Sequence, residues 1–90
     1  MGEASIPSGY GPESELVSGP DPVWLQLAAV LIARIERGDY RVHSPIPSLA
    51  QLEQEFGVAR GTIRKTTALL AERGYVRIVN GKGIYVLPSE

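Results

Sequence analysis

Three stretches of this chain carry apolar residues at helical spacing. From Pro22 to Arg37, the residues Trp24, Leu27, Ala28, Leu31 and Ile35 recur at three- and four-residue intervals. That is the period of one helix face. Asp21 stands at the N-cap position, Pro22 at the first helical position where its missing N–H costs nothing, and Gly38 where the helix is expected to stop. A second stripe, Leu25, Ala29 and Ile32, lies on another side of the same helix. A helix that is apolar nearly all round is usually buried on more than one face. The stripe is therefore a candidate contact surface for a second copy of the chain; the alternatives are that the N-terminal segment folds back over it or that it is simply exposed.

The next two runs are also helical. Ser48-Leu49-Ala50-Gln51 has the S-x-x-Q form of a capping box, Leu49, Leu52 and Phe56 supply a buried face, and Gly57 ends the helix. After Val58-Ala59, a helix over 59–73 carries Ile63, Leu69 and Leu70 with Thr66 and Thr67, and stops at Gly74. Two short helices joined by a tight turn with Gly match a helix-turn-helix. The pattern then changes. Tyr75 to Val79 and Lys82 to Leu87 are β-rich runs around Asn80-Gly81, which predicts a hairpin with a type I′ turn, ended by Pro88. Between the first two helices, Pro45 and Pro47 hold Ile46 extended, and a short strand is expected there. The expected class is α+β: a winged helix-turn-helix over 21–88, with three helices, a C-terminal hairpin wing over 75–87 and a short strand before the second helix.

Residues 1–22 follow no period, and twelve of them are Pro, Gly or Ser. Residues 1–20 are read as a disordered acidic tail. The alternative is an acidic segment that docks on the basic face or on a partner, with Tyr10, Leu16 and Val17 as anchors.

Charge sharpens this division. The whole chain has a net charge of -1. Glu3, Glu13, Glu15 and Asp21 lie in the first 22 residues without a single base. From Gly57 to Val86 the bases Arg60, Arg64, Lys65, Arg73, Arg77 and Lys82 face Glu72 alone, a local charge of +5. Positive charge thus gathers on the third helix and the hairpin, the electrostatic footprint of a nucleic-acid binder. Arg60, Thr62, Arg64 and Lys65 sit near the start of the third helix; arginine reads guanine edges and phosphates, threonine bonds phosphate oxygens, and a helix N-terminus attracts phosphate. Lys82, at the hairpin tip beside Asn80 and Gly81, is placed to reach phosphate or the minor groove.

Other chemistry finds little support. There is no Cys, which excludes disulfides and thiolate metal sites, and the one histidine, His43, reads as a surface residue. Gly81-Lys82-Gly83 is not a P-loop. No catalytic residue, metal site or cofactor is expected, and the chain is not read as an enzyme. The N-terminus has no signal-peptide pattern, and the longest apolar run, Leu27 to Ala33, is too short to span a bilayer. A soluble cytoplasmic protein with no membrane partner is the expectation.

The order and residues of these elements resemble the N-terminal domain of GntR-family transcriptional regulators over about Asp21 to Val86. The resemblance rests on Pro22 to Ile35, Gly38 to Tyr40, Pro47-Ser48, Phe56-Gly57-Val58-Ala59-Arg60, Thr62-Ile63-Arg64-Lys65, Leu69, Gly74-Tyr75-Val76 and Gly81-Lys82-Gly83. It implies dimers on operator DNA, with the third helix in the major groove and the wing at the minor groove. It completes a candidate DNA-contacting set of Ser48, Arg60, Gly61, Thr62, Arg64, Lys65, Asn80, Gly81 and Lys82. Three positions depart from the family pattern. Ala59 replaces the usual capping Ser or Thr, Gly61 replaces a frequent Thr, and Ala50 replaces an arginine that contacts DNA.

The family usually carries a further effector-binding domain, so the chain is expected to be a stand-alone short regulator or a fragment, with no small-molecule effector site within it. The leading expectation is a transcriptional regulator, a repressor, that binds a palindromic double-stranded operator as a homodimer through Leu25, Ala29 and Ile32. The alternative is a winged helix used for protein interaction, with weak or no DNA binding.

Overall fold

The computed structural model describes residues 4–89. Three helices, α1 (Val23–Arg37), α2 (Leu49–Phe56) and α3 (Arg60–Glu72), precede an antiparallel hairpin of β1 (Val76–Val79) and β2 (Gly83–Val86). α1 lies against α3, while α2 and β1 also rest on α3. Leu27 and Leu31 of α1 meet Leu52, Ile63 and Leu70 in a core where all five are fully buried. Ile46, Val76, Ile84 and Val86 close it on the hairpin side. No described helix is long and apolar enough to cross a membrane.

The helix ends follow local chemistry. Gly38 takes φ 91°, and the N–H groups of Gly38 and Asp39 return to the carbonyls of Ile35 and Arg34, the Schellman closure that glycine permits. At α2 both halves of the capping box form: Gln51 N–H donates to Ser48 Oγ at 3.1 Å and Ser48 N–H donates to Gln51 Oε1 at 2.8 Å. The start of α1 differs from expectation. Pro22 is the N-cap, and no side chain caps the helix. The Asp21 carboxylate instead accepts the Tyr10 hydroxyl at 3.0 Å, and the Asp21 carbonyl accepts from Gln26.

Two β features are also corrected. The short strand expected at Ile46 reduces to an isolated bridge between Pro45 and Tyr85. Ile46 N–H donates to Ile84 C=O at 2.8 Å, but Pro45 and Pro47 on either side have no N–H with which to extend a ladder. The hairpin does not use a two-residue type I′ turn. Val79 pairs with Gly83, which leaves Asn80, Gly81 and Lys82 as a three-residue loop. Gly81 has φ 79°, whereas His43 is the one non-glycine with positive φ among the described residues, so Asn80 does not adopt the conformation that turn demands. The register is set by the pairing of Val76 with Val86, both directed into the core.

The segment read as a free tail lies against the domain. Residues 4–20 contain no helix or strand, yet Ile6 and Leu16 rest on the core. Gln26, fully buried, receives Val17 N–H on its Oε1 at 2.9 Å and donates its Nε2–H groups to the carbonyls of Val17 and Asp21, both at 2.7 Å. Arg34 adds a second anchor: it donates to the Pro12 carbonyl at 2.9 Å and the Tyr40 hydroxyl at 3.1 Å, pairs with Glu55 at 2.8 Å, and sits 5.0 Å from the Phe56 ring centroid. The hydrogen bond to Glu55 holds the Arg34 guanidinium above its already high pKa, outweighing desolvation. Of the three anchors the sequence suggests, Leu16 meets the core, Tyr10 holds Asp21, and Val17 is held by its backbone while its side chain stays exposed.

The stripe expected to meet a second copy is largely consumed within the chain. Ala29 and Ile32 are buried, and Leu25 is half-buried against the core. Gln26→Ala strips three backbone groups of their partner, and net values of about 1 kcal/mol per bond predict a loss of ~1–3 kcal/mol in urea-unfolding stability. No change in the unfolding midpoint would show that the segment is not held as described.

Candidate nucleic-acid interface

α3 is positioned from its buried side. Ile63, Thr66, Thr67, Leu69 and Leu70 face inward, and the Thr66 hydroxyl lies 2.8 Å from the Trp24 carbonyl of α1 and 3.1 Å from the Thr62 carbonyl. This leaves Arg60 and Arg64, one turn apart, exposed on the opposite face. The bend between α2 and α3 is tight because Gly57, at φ 67°, donates its N–H back to Glu53 C=O at 2.8 Å.

Beside α3 runs a groove of about 800 Å³. Its walls are Arg64 and Thr67 of α3, Ser48, Leu49 and Gln51 at the start of α2, the segment 45–47, and hairpin residues 78–84. The fold thus brings together five residues marked by the sequence: Ser48, Arg64, Asn80, Gly81 and Lys82. Arg64 and Lys82 make no ion pair among the described residues, so the groove is rimmed by two cations without a neutralising carboxylate. Its floor is apolar, and Ile78, 44% exposed, adds a large aliphatic surface beside the hairpin tip.

The other candidates separate. Arg60 is exposed but pairs through Nε with Glu53 at 2.5 Å. Thr62 is half-buried, and its carbonyl lies 3.1 Å from the Thr66 hydroxyl. Lys65 turns toward α1, with Nζ 4.3 Å from the Trp24 ring centroid, and lines a separate small pocket with Ala68 and Arg73. Gly61 is exposed, and a Cβ there would meet nothing within 4 Å, so the fold does not require glycine. Sequence reasoning did not mark Gln51, Thr67 or Ile78 as groove residues. The capping box points to Gln51 as the neighbour of Ser48, but no local signal brings either beside the hairpin.

Three helices with a hairpin wing, and a cationic groove between the third helix and that wing, define a winged helix-turn-helix protein. The model for bacterial regulatory proteins of the gntR family matches residues 25–86, and the chain belongs to that family. It is 41% identical over 64 residues to the HTH-type transcriptional regulator RB1450 of Rhizobium meliloti (strain 1021), covering 71% of this chain and 26% of that protein. It is 34% identical over 74 residues to the Exu regulon transcriptional regulator of Escherichia coli (strain K12), covering 82% of this chain and 29% of the relative. The chain therefore spans between a quarter and a third of the length of these curated relatives. In structure it superposes on AraR(DBD), crystallised in complex with operator ORE1, with a TM-score of 0.77 at 32% identity over 81% of this chain and 96% of that one. YtrA from Sulfolobus acidocaldarius, a GntR-family transcription factor, gives a TM-score of 0.70 at 26% identity over 86% of this chain and 65% of that one.

The start of α3 lacks a side-chain cap: Ala59, at φ -68° and ψ 152°, already has the extended backbone of an N-cap but offers no acceptor. Ala59→Ser supplies one without strain and is predicted to add ~1 kcal/mol to unfolding stability. A midpoint at or below that of the parent chain would contradict this account of the helix start.

Proposed function

We propose that this chain is a sequence-specific reader of double-stranded DNA that serves a transcriptional regulator. α3 enters the major groove, and the β1–β2 hairpin lies at the minor groove. One observation carries the reading: Arg64 of α3, Ser48 at the N-cap of α2 and Lys82 of the hairpin tip converge on a single exposed groove. Arginine presents a fork of donors suited to a guanine edge, and the wing lysine supplies a point charge for phosphate. In this reading Arg64 reads a base, Arg60 reads a second base or a phosphate, and Ser48, Thr62 and the amides around Asn80 and Gly81 fix position on the backbone. Lys65 takes a lesser part, because Trp24 holds it on the side toward α1.

Relatives named as repressors, such as NagR of Bacillus subtilis and MngR of Escherichia coli, support repression as the outcome. The AraR(DBD) complexes with operators support duplex DNA as the partner. A homodimer on a palindromic operator completes the proposal, since two-fold assemblies suit two-fold sites. Its contact surface lies outside Ala29 and Ile32 as long as these stay buried. A cytoplasmic location follows from the same role.

The test is selection of bound duplexes from a random pool, followed by titration of the consensus. Arg64→Ala is expected to cost ~1–3 kcal/mol on the consensus and to relax preference at one base pair. Each phosphate contact is expected to add about 0.9 to the slope of log affinity against log salt. Unchanged affinity in Arg64→Ala would remove that residue from the interface. Failure to bind any duplex at low salt would favour the protein-interaction alternative.

A further inference from the structure

Glu53 is the one acidic side chain that reaches the exposed face of α3 among the described ion pairs. It sits in the last turn of α2, and its carboxylate crosses the bend to accept Nε–H of Arg60, the first residue of α3. Both ends of this contact are anchored. Glu53 C=O is fixed by the N–H of Gly57, and the Ala59 carbonyl by the N–H of Ile63. Arg60 makes no other hydrogen bond among the described residues, so both Nη groups stay available.

A carboxylate beside a DNA-facing arginine has two effects of opposite kind. Its charge repels phosphate and lowers affinity for every duplex alike. Its hydrogen bond restricts a side chain that otherwise samples many rotamers, and presents the Nη1–Nη2 edge as a fixed pair of donors. The second effect acts only where those donors meet a base.

We propose that Glu53 is a specificity-determining positioning residue, which orients Arg60 so that its terminal N–H pair reads the two acceptors of a guanine edge. This rests on the DNA-binding reading above and adds a role to a residue outside the proposed DNA-contacting set. The ion pair also serves the uncapped start of α3, where a lone cation is opposed by the helix dipole and a nearby carboxylate offsets it.

The experiment uses the full chain, the consensus duplex selected by it, every single-base-pair variant of that duplex, and a scrambled duplex. Arg60→Ala is expected to abolish preference at one base pair. Glu53→Ala is expected to reduce preference at that same base pair on the order of tenfold while binding to the scrambled duplex tightens. Glu53→Gln keeps an acceptor without the charge and is expected to retain part of the preference. In the Arg60→Ala background, Glu53→Ala is expected to leave all preferences unchanged. Glu53 is partly exposed, and matched thermal unfolding of the variants separates a misfolded domain from a misplaced arginine. Uniformly tighter binding in Glu53→Ala with preferences intact would overturn the proposal and leave Glu53 as a repelling charge only. An Arg60→Ala variant that keeps every preference would overturn it too. If the parent chain selects no consensus, the DNA reading itself fails, which is a separate and recognisable outcome.

Discussion

The contact of α1 with α3 is the constraint on which the rest depends. α3 is thirteen residues long and needs one buried face to exist at all, since isolated helices of that length are marginal in water. Leu27 and Leu31 supply the surface for Ile63 and Leu70, and the Thr66 hydroxyl locks the rotation of α3 by bonding the Trp24 carbonyl. Once that rotation is set, the face of α3 that carries Arg60 and Arg64 is turned to solvent. The hairpin follows from α3 as well: Gly74, at φ 85°, turns the chain, and Tyr75 N–H returns to Leu70 C=O at 2.9 Å, which starts β1 against the helix it has just left.

A domain of this size buries a small core and has little stability to spare. The N-terminal segment adds to it through Gln26 and Arg34, two polar side chains of α1. Gln26 is buried without loss because two of its hydrogen bonds are made to Val17 of the segment and the third to the Asp21 carbonyl that follows it. Arg34 joins three separate parts of the chain: the segment at Pro12, the connector at Tyr40 and α2 at Glu55 and Phe56.

The same contacts sort the charges. Arg34 and Arg37 of α1 are neutralised by Glu55, Glu13 and Asp39, and the Arg37 hydrogen bond keeps the Asp39 carboxyl below its ordinary pKa. The acidic segment therefore spends part of its charge on α1. Arg64 and Lys82 make no ion pair among the described residues, and Glu53 is the one acid that reaches the exposed face of α3 among the described ion pairs. A net charge of -1 is compatible with a cationic groove because the acids and bases are separated in space as well as in sequence.

Much of the fold was legible in the sequence because its signals are local. Helix periodicity, the Ser48–Gln51 box, the stop at Gly38 and the hairpin flanking Asn80-Gly81 all depend on neighbours within a few residues. The third helix and its Arg60 and Arg64 face followed from the same pattern. What sequence reading missed depends on long-range partners. Asp21 fails to cap α1 because Tyr10, eleven residues away, takes its carboxylate, and the turn at Asn80 yields to the register imposed by Val76 and Val86 in the core. For Leu25, Ala29 and Ile32 the sequence left open whether a second copy or the N-terminal segment covers the stripe, because helical spacing reports which residues share a face, not what lies against it; within the chain Ala29 and Ile32 are buried. Lys65 and Arg64 are adjacent in sequence and alike in charge, yet one is drawn to Trp24 while the other lines the groove. Sequence by itself determined the elements and the side of the chain that carries positive charge. Only the tertiary structure decided which of those charges stand together, because that depends on how α1, α2 and the hairpin pack around α3.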